Sequence, residues 1–75
     1  NVKEQMEEFF FLGLRKMRGI SKLKFTSYFG VTVEECYGQQ IEKLVKEELL
    51  TETEDRIFLT ERGIDISNYV FAEFL

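Results

Sequence analysis

The stretch Thr32–Glu48, TVEECYGQQIEKLVKEE, constrains the fold more than any other part of the chain. Thr32 and Glu35 have capping-box spacing, with apolar Val31 just before them. Val33, Tyr37, Ile41, Leu44 and Val45 then recur at helical intervals, which predicts a helix from Thr32 to near Glu48 with one buried stripe. Such a helix draws its stability from packing, so the rest of the chain must cover that stripe.

The covering elements can be read on either side. Helical periodicity runs from about Glu4 to Met17, with Val2, Met6, Phe9, Phe10, Gly13, Leu14 and Met17 on one broad face. Gly13 lies within that face, where a missing side chain lets another element approach closely. Arg18-Gly19 breaks the helix and reads as a flexible joint. Ile20-Ser21 opens a second helix, with Ser21 as N-cap and Ile20 placed to staple against Phe25. Phe25, Tyr28 and Phe29 form its apolar face, and Gly30 ends it. After the third helix, Leu49–Thr53 and Arg56–Leu59 read as two short strands joined at Glu54-Asp55, although the turn lacks glycine. Thr60 caps a last helix with Ile64, Ser67, Val70, Phe71, Phe74 and Leu75 on a wide face. Gly63 in that helix costs about 1 kcal/mol relative to alanine, which points to close packing.

The expected fold is therefore a mainly helical α+β domain: three helices, a short β-hairpin and a C-terminal helix, the order of a winged helix. Its 75 residues allow one domain, 1–75. A domain of this size buries only roughly 60% of its unfolded surface, and eight phenylalanines with no proline suit the dense packing that this demands.

Composition and charge argue against several function classes. The net charge is −4, and no basic stripe is present to neutralise phosphates, so no nucleic-acid partner is expected. The exposed face of the third helix carries Glu34, Glu35, Glu42 and Glu47 against Lys43 and Lys46, and the hairpin tip is Glu54-Asp55-Arg56. Both surfaces that a winged helix would bring to DNA thus repel it. There is no histidine, the commonest general base, and no glycine-rich phosphate loop. Adjacent acids such as Glu7-Glu8 and Glu47-Glu48 read as solvated faces. A single cysteine, Cys36, holds neither an iron–sulfur cluster nor a structural zinc, and reads as packing. It suits a reducing compartment, most simply the cytoplasm. No transmembrane run or signal peptide is visible. A first residue other than methionine hints at a processed or excised start. No catalytic, cofactor-binding or metal-binding residue is assigned within the chain.

EFFFLGLR, residues 8–15, leaves a surplus. With the core face assigned, Phe11 and Leu12 remain on the opposite side of the first helix, among Glu4, Glu8 and Arg15. Phe11 and Arg15 are four apart, as are Glu8 and Leu12, so each pair lies on adjacent turns. Glu8, Phe11, Leu12 and Arg15 are therefore the candidate docking surface, an apolar patch with a polar rim. The other reading of the same residues is a helix buried on two sides.

The segments EEFFFLGLRKMRGIS, YFG with YGQQIEKLVKEELL, and IFLTERGIDISNYVFAEFL together resemble the C-terminal domain of the oxygen-independent coproporphyrinogen III oxidase family, from about Glu7 to Leu75. The most specific parts are Gly13-Leu14-Arg15, and Leu59-Thr60 with Gly63, Ser67 and Asn68. The LGLR form of the first helix is closer to the haem-chaperone branch than to the oxidases.

The resemblance implies a larger parent of the radical S-adenosylmethionine class. In that family an N-terminal partial α/β barrel carries three cysteines that hold a [4Fe–4S] cluster, to which S-adenosylmethionine binds. The oxidases convert two propionates of coproporphyrinogen III to vinyl groups, and the chaperones carry haem to acceptor proteins. The C-terminal domain packs on the barrel and helps cover its opening. The three-cysteine motif is absent here, so no catalytic role is carried over. The expected partner is the N-terminal radical S-adenosylmethionine domain of the same chain, met through Glu8, Phe11, Leu12 and Arg15. Haem ligation within this domain would have to use Cys36, Tyr28, Tyr37, Tyr69 or a methionine. The alternatives are a stand-alone winged-helix module that binds proteins or DNA.

Overall fold

Local capping chemistry sets the helix starts. The Thr32 hydroxyl accepts from Glu35 N–H at 3.1 Å, and the Glu35 carboxylate accepts from Thr32 N–H at 3.0 Å, which completes the expected capping box. Ser21 and Thr60 cap in the same way, accepting from the backbone N–H groups of Lys24 and Gly63. Gly30 takes the left-handed conformation, φ 74°, that ends its helix. The computed structural model describes every residue, Asn1–Leu75. Its elements are α1 (Val2–Leu14), β1 (Ile20–Ser21), α2 (Lys22–Phe29), α3 (Val33–Lys46), β2 (Leu50–Glu52), β3 (Arg56–Leu59), α4 (Glu61–Asp65) and α5 (Ser67–Ala72). The mainly helical α+β class and the order of helices and hairpin are those expected.

One core joins these elements. Phe10 and Leu14 of α1, Phe25 of α2, Val33, Tyr37, Ile41 and Leu44 of α3, Ile57 of β3 and Val70 of α5 are all buried. The three consecutive phenylalanines point in three directions. Phe9 meets Phe25 and Phe29 of α2, with centroids 5.5 and 5.9 Å away. Phe10 occupies the centre, stacked on Phe74 at 4.4 Å and edge-on to Tyr37 at 4.8 Å. Phe11 meets Phe71 of α5 at 5.0 Å. A helix wedged between two others uses side chains spaced about 100° apart, and that is why α1 is apolar on several sides.

The sheet has a strand beyond the expected hairpin. β1 pairs antiparallel with β3, Ile20 opposite Ile57 and Ser21 opposite Arg56, so the order is β1-β3-β2. A two-residue strand has no period to read, and its pairing partner lies far along the chain. The Arg18-Gly19 segment is a packed turn: Gly19 has φ 69°, and a Cβ there would collide with the backbone of Ile57 and Phe58. The β2–β3 turn works without glycine because neither Glu54 nor Asp55 takes a positive φ, and the Thr53 hydroxyl accepts from Arg56 N–H at 3.0 Å.

α3 ends with Glu48 in the left-handed region at φ 63°. Glu48 N–H donates to the Val45 carbonyl and Leu49 N–H to the Leu44 carbonyl, at 3.0 and 2.9 Å, in a Schellman motif. This draws Leu49 out of the expected strand and into the core. Gly13 and Gly63 serve the close approaches expected of them: a side chain at Gly13 would strike Ile20, and one at Gly63 would strike the Leu49 carbonyl.

The last helix is two helices. Ile66, at φ −122° and ψ 43°, separates α4 from α5. Asp65, Ser67 and Asn68 surround the break, and such side chains compete with helical backbone bonds. Several residues expected on buried faces are exposed: Val2, Met17, Tyr28, Ile64 and Leu75. α1 ends at Leu14, and Lys16 N–H turns back to the Gly13 carbonyl at 3.1 Å, which leaves Met17 off the helical stripe. The break at Ile66 turns Val70 and Phe74 inward and leaves Ile64 outside. Val2 and Leu75 lie at the two ends of the chain, and Tyr28 sits at the rim of the aromatic cluster, 6.1 Å from Phe9.

Candidate functional site

The outer face of α1 is built on a well-capped helix. The Asn1 side chain accepts from Glu4 N–H at 2.9 Å, and the Glu4 carboxylate accepts from the Asn1 backbone nitrogen at 3.1 Å, a capping box. With Phe10 and Leu14 inward, the 100° rotation per residue turns Leu12 outward, and it is 52% exposed. Phe11 lies between the two directions: its ring meets Phe71, and the residue stays 40% exposed. Phe11 is therefore covered by α5 on a second side of α1 without being enclosed. Glu8 and Arg15 are exposed, and neither enters an ion pair within the chain. The Arg15 guanidinium instead lies over the Phe11 ring, 4.0 Å from its centroid.

Two grooves flank this face. Toward the start of α1, Phe10, Phe11, Phe71 and Phe74 form an apolar floor beneath Glu4, Glu7 and Glu8. Toward its end, Leu14, Arg15 and Lys16 face Phe58 of β3, Ile64 of α4 and Phe71 of α5. Phe71 is common to both, so the apolar surface is continuous around α1. Lys16, Met17, Phe58 and Ile64 are the part of this surface that sequence reasoning missed. Met17 and Ile64 sit at helical spacing, and periodicity alone cannot distinguish that from core.

The rest of the surface is held by structural contacts. Lys22 reaches Glu34 at 2.9 Å and Glu52 at 2.8 Å, tying α2 to the start of α3 and the end of β2. Lys43 pairs with Glu73 at 3.1 Å, and the Tyr69 hydroxyl donates to the Glu47 carboxylate at 3.1 Å, which fixes α5 along α3. The Glu73 hydrogen bond raises the Lys43 pKa.

The donor set does not fit a [4Fe–4S] cluster: there is one thiol, half-buried Cys36, and no three His, Cys, Asp or Glu side chains come together to hold a metal. Of the tyrosines considered for haem, Tyr37 is buried, and Tyr69 is engaged with Glu47. No helix is long and apolar enough to cross a membrane. What the α1 face offers is a rigid apolar surface edged by charge, suited to binding another surface.

The chain is similar to part of longer known proteins. The heme chaperone HemW of Lactococcus lactis subsp. lactis (strain IL1403) is 42% identical over 73 residues, which is 97% of this chain and 19% of that protein. The heme chaperone HemW of Bacillus subtilis (strain 168) is 36% identical over 74 residues, 99% of this chain and 20% of that protein. The chain thus spans only a small part of the length of these relatives. No solved structure matches it significantly. The HemN C-terminal domain family matches residues 1–66, and the chain belongs to that family.

Proposed function

We propose that this domain is the non-catalytic C-terminal part of a HemW-like haem-delivery protein, and that it docks on the N-terminal radical S-adenosylmethionine domain of the same polypeptide. Phe11, Leu12 and Arg15, with Glu8, form the contact and help cover the opening of the partner domain. The carrying observation is the outer face of α1, where 52%-exposed Leu12 and partly exposed Phe11 remain after the core is complete. The names of both relatives favour haem delivery over porphyrinogen oxidation. The [4Fe–4S] cluster, S-adenosylmethionine and haem belong, in this reading, to the N-terminal domain, which supplies any radical chemistry. The setting is the cytoplasm.

The test uses the full-length polypeptide. Phe11→Glu with Leu12→Glu should raise hydrogen exchange and protease cleavage in α1 while the circular dichroism of the 75-residue domain is retained. Unchanged exchange in the full-length variant would remove α1 from the contact. Unfolding of the domain itself would return these two residues to its core.

A further inference from the structure

We infer that the groove at the end of α1 receives an acidic, partly apolar segment of the N-terminal domain, with Arg15 and Lys16 contacting its carboxylates. The inference rests on the docking reading above and assigns that contact its chemistry.

Two stretches remote in sequence meet here. Leu14 and Arg15 at the end of α1, and Leu59, Ser67 and Asn68 from β3 and α5, line the same groove. Its margin holds two large apolar side chains with little cover, Met17 at 97% exposed and Ile64 at 60%. Isolated exposed apolar residues are ordinary, but here they edge a groove that shares Phe71 with the groove lined by Phe11.

The charge around the groove runs against the chain's balance of −4. Every side-chain cation in an ion pair is a lysine: Lys3, Lys22, Lys43 or Lys46. Arg15, Lys16, Arg18, Lys24, Arg56 and Arg62 have none, and of these Arg15 and Lys16 line the groove. One carboxylate, Glu61, lines the groove, and it is paired with neither Arg15 nor Lys16.

Arg15 is already oriented for a carboxylate. Its guanidinium is held over Phe11, and Phe11 is held by Phe71. A stacked guanidinium keeps its N–H edge free, and that fork matches the two oxygens of a carboxylate. The other end of α1 is acidic, with Glu4, Glu7 and Glu8 around the first groove. The face is therefore polarised along the helix, which fixes the direction in which a partner lies. A second copy could answer that polarity head to tail. A segment of the same polypeptide has the advantage of high effective concentration.

Zero-length carbodiimide cross-linking of the full-length protein tests this, because it joins a lysine amine only to a carboxylate in contact, as an amide with loss of water. We expect Lys16 joined to an Asp or Glu of the N-terminal domain within one polypeptide, and a yield about tenfold lower in Arg15→Glu. Lys16 joined to a second polypeptide would overturn the inference in favour of self-association. If no Lys16 cross-link forms, Arg15→Glu/Lys16→Glu decides: raised hydrogen exchange in α1, mimicked by high salt, supports the acidic contact, and unchanged exchange overturns it. Should Phe11→Glu/Leu12→Glu still release α1 in that last case, the docking surface stands and only its charged groove is lost. If both pairs are silent, both readings fall.

Discussion

The guanidinium carbon of Arg15 lies 4.0 Å from the centroid of the Phe11 ring, one helical turn away on α1. Phe11 in turn meets Phe71 of α5 edge-on at 5.0 Å. The cation is thus carried on an aromatic pair, which connects the end of the first helix to the last.

This relationship should be visible as a small coupling in the 75-residue domain. A double-mutant cycle of Phe11→Ala and Arg15→Ala, read by urea unfolding, should give about 0.5–1 kcal/mol, the range for an exposed cation–π contact. Leu12→Glu should stay within about 0.5 kcal/mol of the parent. Phe11→Glu should cost about 1–2 kcal/mol, because it also loses the Phe71 contact. A loss of several kcal/mol at Leu12 would contradict its exposed placement.

Two glycines should respond to alanine with opposite sign. A Cβ at Gly63 meets the Leu49 carbonyl, a backbone atom that already accepts from Thr60 N–H at 3.1 Å and cannot move freely. Gly63→Ala should therefore lower stability by about 2–3 kcal/mol. Gly38 lies inside α3, and a methyl group there would meet nothing within 4 Å, so Gly38→Ala should raise stability by about 0.5–1 kcal/mol. Midpoints of thermal or urea unfolding check both.

Glu48 holds a left-handed position, φ 63°, that glycine usually fills at this point of a Schellman motif. Glu48→Gly should stabilise the domain by about 1 kcal/mol through relief of that strain. Its carbonyl, which accepts from the Thr60 hydroxyl at 2.7 Å, is a backbone group and survives the change. A lower unfolding midpoint would show that the Glu48 side chain has a role that its geometry does not display.

The Lys22 bridge predicts a stability plateau bounded on both sides. Burial disfavours the ammonium, but hydrogen bonds to Glu52 and Glu34 outweigh it and hold the Lys22 pKa above its usual 10.5. The hydrogen bond from Lys22, aided by the backbone, holds Glu34 below its usual 4.5. Because Glu34 is depressed in the fold, its contribution is present above 4.5 and lost as pH falls through the lowered value. Because Lys22 is raised, its contribution is present below 10.5 and lost as pH rises through the raised value. Lys22→Met should cost about 1 kcal/mol at neutral pH, since Glu34 is half exposed, and should flatten both limbs of a melting-temperature profile. Tyr37 should leave a residual alkaline limb, because burial first, and then the Glu7 charge, raise its pKa above 10.0.

Three helix starts, those of α2, α3 and α4, were legible in the sequence because capping is local; α1 starts at Val2, ahead of the expected Glu4, and α5 has no side-chain cap to read. Thr32 with Glu35, Ser21 with Lys24 and Thr60 with Gly63 each satisfy a donor within three residues. The α3 stripe was equally plain, since four of its five apolar members are buried and Val45 packs against the same cluster. The surplus on α1 was legible as leftover apolar residues, although Phe11 proved to be shared with Phe71.

Local pattern thus determined which segments are helices, where the hairpin lies, and that α1 has more apolar surface than one core face requires. Tertiary structure decided the rest. β1 exists because Ile20 and Ser21 find Ile57 and Arg56, whose hydrogen-bonding groups lie far along the chain. The break at Ile66 exists because Phe74 can then stack on Phe10 while Val70 is buried. That turn leaves Ile64 and Met17 at the edge of a groove with Arg15 and Lys16. Periodicity reports which residues share a side of one helix. Only packing against other elements determines whether that side is covered, because burial depends on contacts between segments that have no fixed spacing in sequence.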